Sequence, residues 1–179
     1  MRIAVDLDGV LADQIRSLTE EVARVTGIQL RGEAIRKYNM LIGEVSIGEI
    51  ATLALLRPEY TLGMDVMPGA ERALGELAYR HHITVATDRL PEADPLSLMW
   101  LQGTLLRFHD YVNTHAVGKH TLDADVLIDD YHVNVNMFAA TDRPAILFVR
   151  PWNALEAVRA GVIRAHNWKE VVHIIEEVL

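Results

Sequence analysis

The chain contains no cysteine in its 179 residues, which excludes a disulfide framework, a thiol nucleophile and cysteine-ligated zinc. A cytoplasmic protein is the expectation from that absence. Positive charge is also short: 17 Lys and Arg face 25 Asp and Glu, a net charge of −8. A nucleic-acid polymer is therefore not the expected partner, because such binding rests on basic neutralisation of phosphates. Long hydrophobic runs are missing as well. The longest lies within residues 50–56, against the roughly 20 residues a membrane span needs, so no membrane association is expected. The apolar start Ile3-Ala4-Val5 is broken at once by Asp6 and Asp8, unlike a secretory leader. What remains is 50% hydrophobic residues, enough for a core in one domain or one domain with a modest insert.

Short apolar runs at residues 2–5, 83–86, 126–128 and 145–149, several of them β-branched, have the pattern of buried parallel strands. Helical spacing separates them. Leu11, Ile15, Leu18, Val22 and Val25 form one apolar stripe, with Gly27 as its stop. Ser46 and Glu49 have capping-box spacing ahead of Ile50, Leu53 and Leu56, with Pro58 beyond the end. Asp94-Pro95 is expected to cap a helix running through Trp100 towards Leu106, and Asn167 to open a last one carrying Val171, Val172, Ile175 and Val178. Alternation of this kind indicates an α/β domain with a mainly parallel sheet and helices on both faces. Residues 14–66 contain helices and no convincing strand. They are expected to form a small helical cap inserted after the first strand, with 1–13 and 67–179 as the core.

Ligands of such sheets bind at the carboxyl ends of the strands, so the polar residues there carry the interest. Asp6 and Asp8 follow the first run, and alternation puts both carboxylates on one side, where a cation or a proton must separate them. A calcium loop does not fit, since Gly9 stands fourth and Ser17 twelfth. Thr87 ends the second run, where its hydroxyl could hold a phosphoryl oxygen or serve a turn. Lys119 is one of three lysines beside fourteen arginines, a compact charge suited to phosphate or a solvated loop residue. Asp129-Asp130 closes the third run, costly after buried apolar residues unless solvated, capped or metal-bound.

The order Asp6-x-Asp8-Gly9-Val10-Leu11-Ala12-Asp13, Thr87, Lys119, Asp129-Asp130 resembles the four motifs of the haloacid dehalogenase (HAD) superfamily of phosphohydrolases. More narrowly it resembles the 5′(3′)-deoxyribonucleotidases, to which Met67-Pro68-Gly69-Ala70, residues 124–130 and Ile146-Leu147-Phe148 with Pro151-Trp152-Asn153 are also similar. The likeness covers most of the chain except the insert.

The resemblance implies a Rossmann-like HAD fold and a Mg²⁺-dependent phosphatase for a small phosphorylated substrate, a nucleoside monophosphate. In that scheme Asp6 is the nucleophile and forms an aspartyl-phosphate, while Asp8 is the general acid and base. Mg²⁺ is held by the Asp6 carboxylate, the Asp8 backbone carbonyl and Asp130, with Asp129 a direct or water-mediated ligand. Thr87, the Asp88 backbone amide and Lys119 bind phosphate. The chain departs from the family in two places. Gln14 stands where an aromatic residue usually helps sandwich the base, and the insert offers only Tyr38 and Tyr60. Thr87 is followed by an acid, Asp88, whose charge Arg89 could offset. Gln14, Tyr38, Arg57, Tyr60 and Arg89 are the candidate substrate contacts. Competing readings are a phosphatase for another small phosphoester and a phosphoacceptor module without turnover, against which the placement of Asp8 argues. A homodimer is compatible with the chain.

Overall fold

The computed structural model describes all residues, Met1–Leu179. In chain order the strands are β1 Arg2–Asp6, β2 Ala12–Asp13, β3 Leu41–Ile42, β4 Val45–Ser46, β5 Asp65–Val66, β6 His82–Thr87, β7 Asp110–Asn113, β8 Val126–Asp129, β9 Ala145–Phe148 and β10 Val162–Ala165. The helices are α1 Ile15–Thr26, α2 Ile47–Ala54, α3 Pro58–Thr61, α4 Ala70–Leu77, α5 Asp94–Gln102, α6 His132–Ala139 and α7 Trp168–His173.

Six strands form one parallel sheet in the order β10-β9-β8-β1-β6-β7. Strand β1 lies at its centre because Ile3, Ala4 and Val5 can be buried on both faces. Ile3 pairs with Ile83 on one side and with Val126 on the other. The chain fills one half of the sheet through β6 and β7, then crosses β1 to build the other through β8, β9 and β10. That reversal opens a crevice beyond the strand ends, where Asp6, Thr87 and Asp129 terminate three neighbouring strands.

The first helix stops as expected. Gly27 takes the left-handed conformation, φ 73°, and its N–H reaches Ala23 O at 2.9 Å. The capping box is present, with Glu49 N donating to Ser46 Oγ at 3.1 Å and Ser46 N to Glu49 Oε2 at 3.0 Å. The buried face of α2, however, is Ile47, Ile50, Ala51 and Ala54, and Leu53 is 65% exposed. Positions 47, 50, 51 and 54 share one side at 3.6 residues per turn, which leaves Leu53 and Leu56 outside it. Pro58 opens the one-turn helix α3. Helix α5 begins at Asp94 after a 3₁₀ turn, has Ala93 as cap with no side-chain bond, and ends at Gln102, short of Leu106. The Asp94 carboxylate is drawn elsewhere, accepting from Tyr111 Oη at 2.6 Å and Asn113 Nδ2 at 2.7 Å. Asn167 caps α7 through Glu170 N at 3.0 Å.

Residues 14–66 are not purely helical. Strand β5 pairs antiparallel with β2, Ala12 opposite Val66 and Asp13 opposite Asp65, and so ties the two ends of this stretch together. Strands β3 and β4 form a two-residue hairpin. Pairings this short have no period for a sequence to display. The stretch gathers an apolar cluster of Leu18, Val22, Ile35, Ile42, Ile47, Ile50 and Ala51, which Trp152 joins from the far side of the crevice. It is separate from the 29-residue cluster that fills one face of the sheet.

Candidate active site

The strand ends place three acids around one ammonium. Lys119, 2% exposed, sends Nζ to Asp6 Oδ1 at 2.5 Å and to Asp129 Oδ2 at 2.7 Å, with Asp88 Oδ2 at 3.8 Å. Asp130 turns its carboxylate to the indole of Trp152, which donates to Oδ2 at 2.8 Å, while Asn153 Nδ2 donates to its backbone carbonyl at 2.6 Å. The loop Pro151-Trp152-Asn153 thus fixes the end of β8. Gly9 permits the approach: its φ is 77°, and a Cβ there would overlap Asp130 Oδ2.

Oxygens of Asp6, Asp129 and Asp130 can all lie within 4.8 Å of one another. Burial raises the Asp6 carboxyl well above the usual range, against the pull of Lys119, with Asp129 and Asp130 adding to the rise. Burial, then the charge of Asp129, pushes Asp130 up to about 8. Three buried carboxylates around one lysine are short of positive charge, and an all-oxygen set suits a hard divalent cation. The donor set fits such an ion.

Asp8 is held from the other side. Arg89, 4% exposed, grips it with two bonds, Nε to Oδ2 at 2.8 Å and Nη2 to Oδ1 at 2.7 Å, and anchors on Ser97 Oγ through Nη1 at 2.9 Å. Arg89 therefore pairs with Asp8, not with Asp88 as the sequence suggested. The charge of Asp88 is met by Thr114 Oγ1 at 2.5 Å and Asn134 Nδ2 at 2.8 Å. Thr87 is fully buried, and its Oγ1 accepts from Arg89 N at 3.2 Å.

A pocket of about 280 Å³ opens over these groups. Asp6, Asp8, Lys119, Asp129 and Asp130 form its floor, together with Asp88 and Arg89. Gln14, Tyr38, Thr52 and Leu55 form the facing wall. The Tyr38 ring lies 5.8 Å from that of Tyr131, and burial, then the charge of Asp8, raises the Tyr38 phenol. Arg57 and Tyr60 are not brought to this pocket. They border a separate depression, where Arg57 Nη1 donates to Glu21 Oε1 at 2.9 Å. Sequence reasoning missed Tyr131, Asn134 and His115 in the pocket. Tyr131 and Asn134 follow Asp129-Asp130 closely enough for position alone to have pointed to them, whereas His115 carried no signal.

The fold is shared with solved structures of low sequence identity. A predicted phosphatase from Clostridium acetobutylicum aligns with a TM-score of 0.66 at 19% identity, covering 99% of this chain and 98% of that one. A HAD-hydrolase from Bacillus subtilis bound to magnesium aligns at 0.61 and 12%, covering 98% of each. The fold is that of the HAD hydrolases, and the family match and the relative that follow make the chain a phosphatase of that class. Its whole length, residues 1–179, matches the model of the family "5′ nucleotidase, deoxy (Pyrimidine), cytosolic type C protein", and the chain belongs to that family. A Staphylococcus epidermidis relative named "Putative 5′(3′)-deoxyribonucleotidase" is 27% identical over 176 residues, 95% of this chain and 93% of its own length.

Proposed function

We propose that the chain is a Mg²⁺-dependent nucleoside monophosphate phosphatase working through an aspartyl-phosphate, with deoxyribonucleotides suggested by the family description and the relative's name. The observation that carries the reading is Lys119 bridging Asp6 and Asp129 at adjacent strand ends, two residues before a second acid, Asp8. Asp6 attacks phosphorus in line while its charge is balanced by Lys119, and the ester oxygen leaves with a proton from Asp8. Asp8 then takes a proton from the water that hydrolyses the acyl phosphate, and Asp6 is restored. The Thr87 oxygen already accepts the Arg89 amide, so its hydroxyl proton is kept for a phosphoryl oxygen, which the Asp88 backbone amide and Lys119 also bind.

The pocket carries five carboxylates against two cations, Lys119 and Arg89, so a phosphate dianion needs further positive charge. Mg²⁺ would be held by the Asp6 carboxylate, the Asp8 backbone carbonyl and Asp130, with Asp129 beside it, and when bound it screens the phosphoryl charge. Residues 14–66 act as a cap that excludes water and meets the leaving group. A cytoplasmic setting agrees with the cysteine-free composition.

The test is phosphate release from ribo- and deoxyribonucleoside monophosphates and sugar phosphates, with Mg²⁺ or EDTA. Turnover of nucleotides that needs Mg²⁺ and falls at least about a thousandfold in Asp6→Asn supports the reading. Turnover of other phosphoesters alone discards the substrate class, and stable labelling of Asp6 by acetyl phosphate without turnover discards the phosphatase.

A further inference from the structure

Asp88 is the one acid of the pocket whose side chain neither the reaction nor the metal described above uses. It is nevertheless held in place. Thr114 Oγ1 donates to its Oδ1 at 2.5 Å and Asn134 Nδ2 to its Oδ2 at 2.8 Å, while its backbone carbonyl accepts from His115 Nδ1 at 2.9 Å. A carbonyl oxygen only accepts, so that imidazole nitrogen is the one carrying the proton. Asp88 is thus fixed through both carboxylate oxygens and its own carbonyl, with its side chain 38% exposed at the pocket. Thr114 and Asn134 are neutral, and they orient the carboxylate without cancelling its charge.

The cation within 4 Å of Asp88 is Lys119, whose Nζ lies 3.8 Å from Oδ2. An ammonium has three hydrogens to give. Two are committed, to Asp6 Oδ1 at 2.5 Å and to Asp129 Oδ2 at 2.7 Å. The third is what Lys119 has left for a phosphoryl oxygen, and the Asp88 carboxylate lies beside the same atom. Burial works against the charge of Lys119, yet Asp129, Asp6 and Asp88, in that order, hold its pKa above the ordinary range. A phosphate seated on Lys119 and on the Asp88 backbone amide therefore has the Asp88 carboxylate as a close neighbour of like charge, on a floor where screening is weak. Substrate keeps contacts with the facing wall that free phosphate lacks. A fixed repulsion on the floor leaves the product as the more weakly held of the two.

We propose that the Asp88 side chain is a specificity-determining residue that sets the affinity for phosphate, competing with the phosphoryl group for the third hydrogen of Lys119 and so promoting discharge of inorganic phosphate. The inference rests on the reading of Lys119 as the phosphate-binding cation given above.

The test measures the inhibition constant of inorganic phosphate at saturating Mg²⁺ in the parent, in Asp88→Asn and in Asp88→Ala, with a nucleoside monophosphate and a sugar phosphate as substrates. Removing one charge beside a bound dianion is expected to lower that constant at least about tenfold in both variants. KM is expected to fall with it on both substrates, and progress curves should flatten earlier as product accumulates. The difference from the parent should narrow as ionic strength rises, which the loss of a loop staple would not produce. An inhibition constant that is unchanged or higher in both variants, with a lowered thermal midpoint, would make Asp88 a staple between Thr114 and Asn134 and overturn the inference alone. A parent enzyme that phosphate does not inhibit competitively overturns the phosphate-binding reading of Lys119 and this inference together.

Discussion

The two walls of the pocket are built on opposite terms. On the floor, every charged group has its partners before any ligand arrives: Lys119 joins Asp6 to Asp129, Trp152 holds Asp130 and Arg89 holds Asp8. On the wall from residues 14–66, Gln14, Tyr38, Thr52 and Leu55 carry no charge. The floor is preorganised, which is what a reaction governed by charge requires, because dipoles and ions already in place need no reorganisation as the transition state forms. The wall is uncharged, so it adds nothing to that balance and acts on the shape and polarity of the rest of a substrate. Changes to the floor should therefore cost turnover of every substrate, and changes to the wall should alter choice among substrates.

Lys119→Met is the most severe way to break the floor. It leaves Asp6 and Asp129 buried without their shared cation, and the expected loss is about 3–5 kcal/mol in urea unfolding, with turnover near the detection limit. Pairing it with Asp129→Asn should recover much of the stability and none of the activity. If the single variant is as stable as the parent, the carboxylates are less buried than the strand ends indicate. Arg89→Lys comes next. A lysine cannot supply two parallel bonds to Asp8 and a third to Ser97, so kcat should fall about a hundredfold on nucleotide and sugar phosphate alike. A loss confined to nucleotides would move Arg89 from the floor to the wall.

Much of the floor was legible in the sequence, and the reason is local. Asp6, Asp8, Asp129 and Asp130 each follow directly on an apolar run, so the strands that position them announce them. The four strands inside the sheet, β1, β6, β8 and β9, were legible for the same reason. The two at its edges, β7 and β10, were not. An edge strand pairs on one side only, and Asp110–Asn113 and Val162–Ala165 are largely half-exposed, so neither forms a continuous apolar run. The grip of Arg89 on Asp8 spans 81 residues of chain, and that of Trp152 on Asp130 spans 22. Pairings at such separations leave no trace in a periodicity. The same limit misplaced Arg57 and Tyr60, whose residue types suited a ligand but whose helix carries them to another face.

Two smaller effects sharpen the contrast. Asp130→Asn keeps an acceptor for Trp152 and removes one of three crowded buried charges. Without metal it should be more stable than the parent by about 1 kcal/mol, although inactive. Added Mg²⁺ should raise the thermal midpoint of the parent well above its effect on the variant, since only a ligand bound by the folded state stabilises it. Stabilisation of both to the same degree would place the cation elsewhere.

Glu21, within 14–66 and away from the pocket, tests whether that stretch is held by its own contacts. Its carboxylate accepts from Arg24 Nη2 at 2.6 Å and Arg57 Nη1 at 2.9 Å. The Arg24 bond, against the opposing effect of burial and with Arg57 assisting, holds its pKa below the ordinary value of 4.5. A carboxyl lowered on folding stabilises fully above its unfolded value, and the contribution disappears as pH falls through the lowered one. Glu21→Gln should therefore cost under about 1 kcal/mol at pH 7, because both arginines are partly solvated, and should cost nothing once the pH is well below 4.5. Its kcat/KM ratio between nucleotide and sugar phosphate should match that of the parent. A shift in that ratio would mean that the depression around Arg57 communicates with the wall of the pocket, and the separation of the two regions would no longer hold.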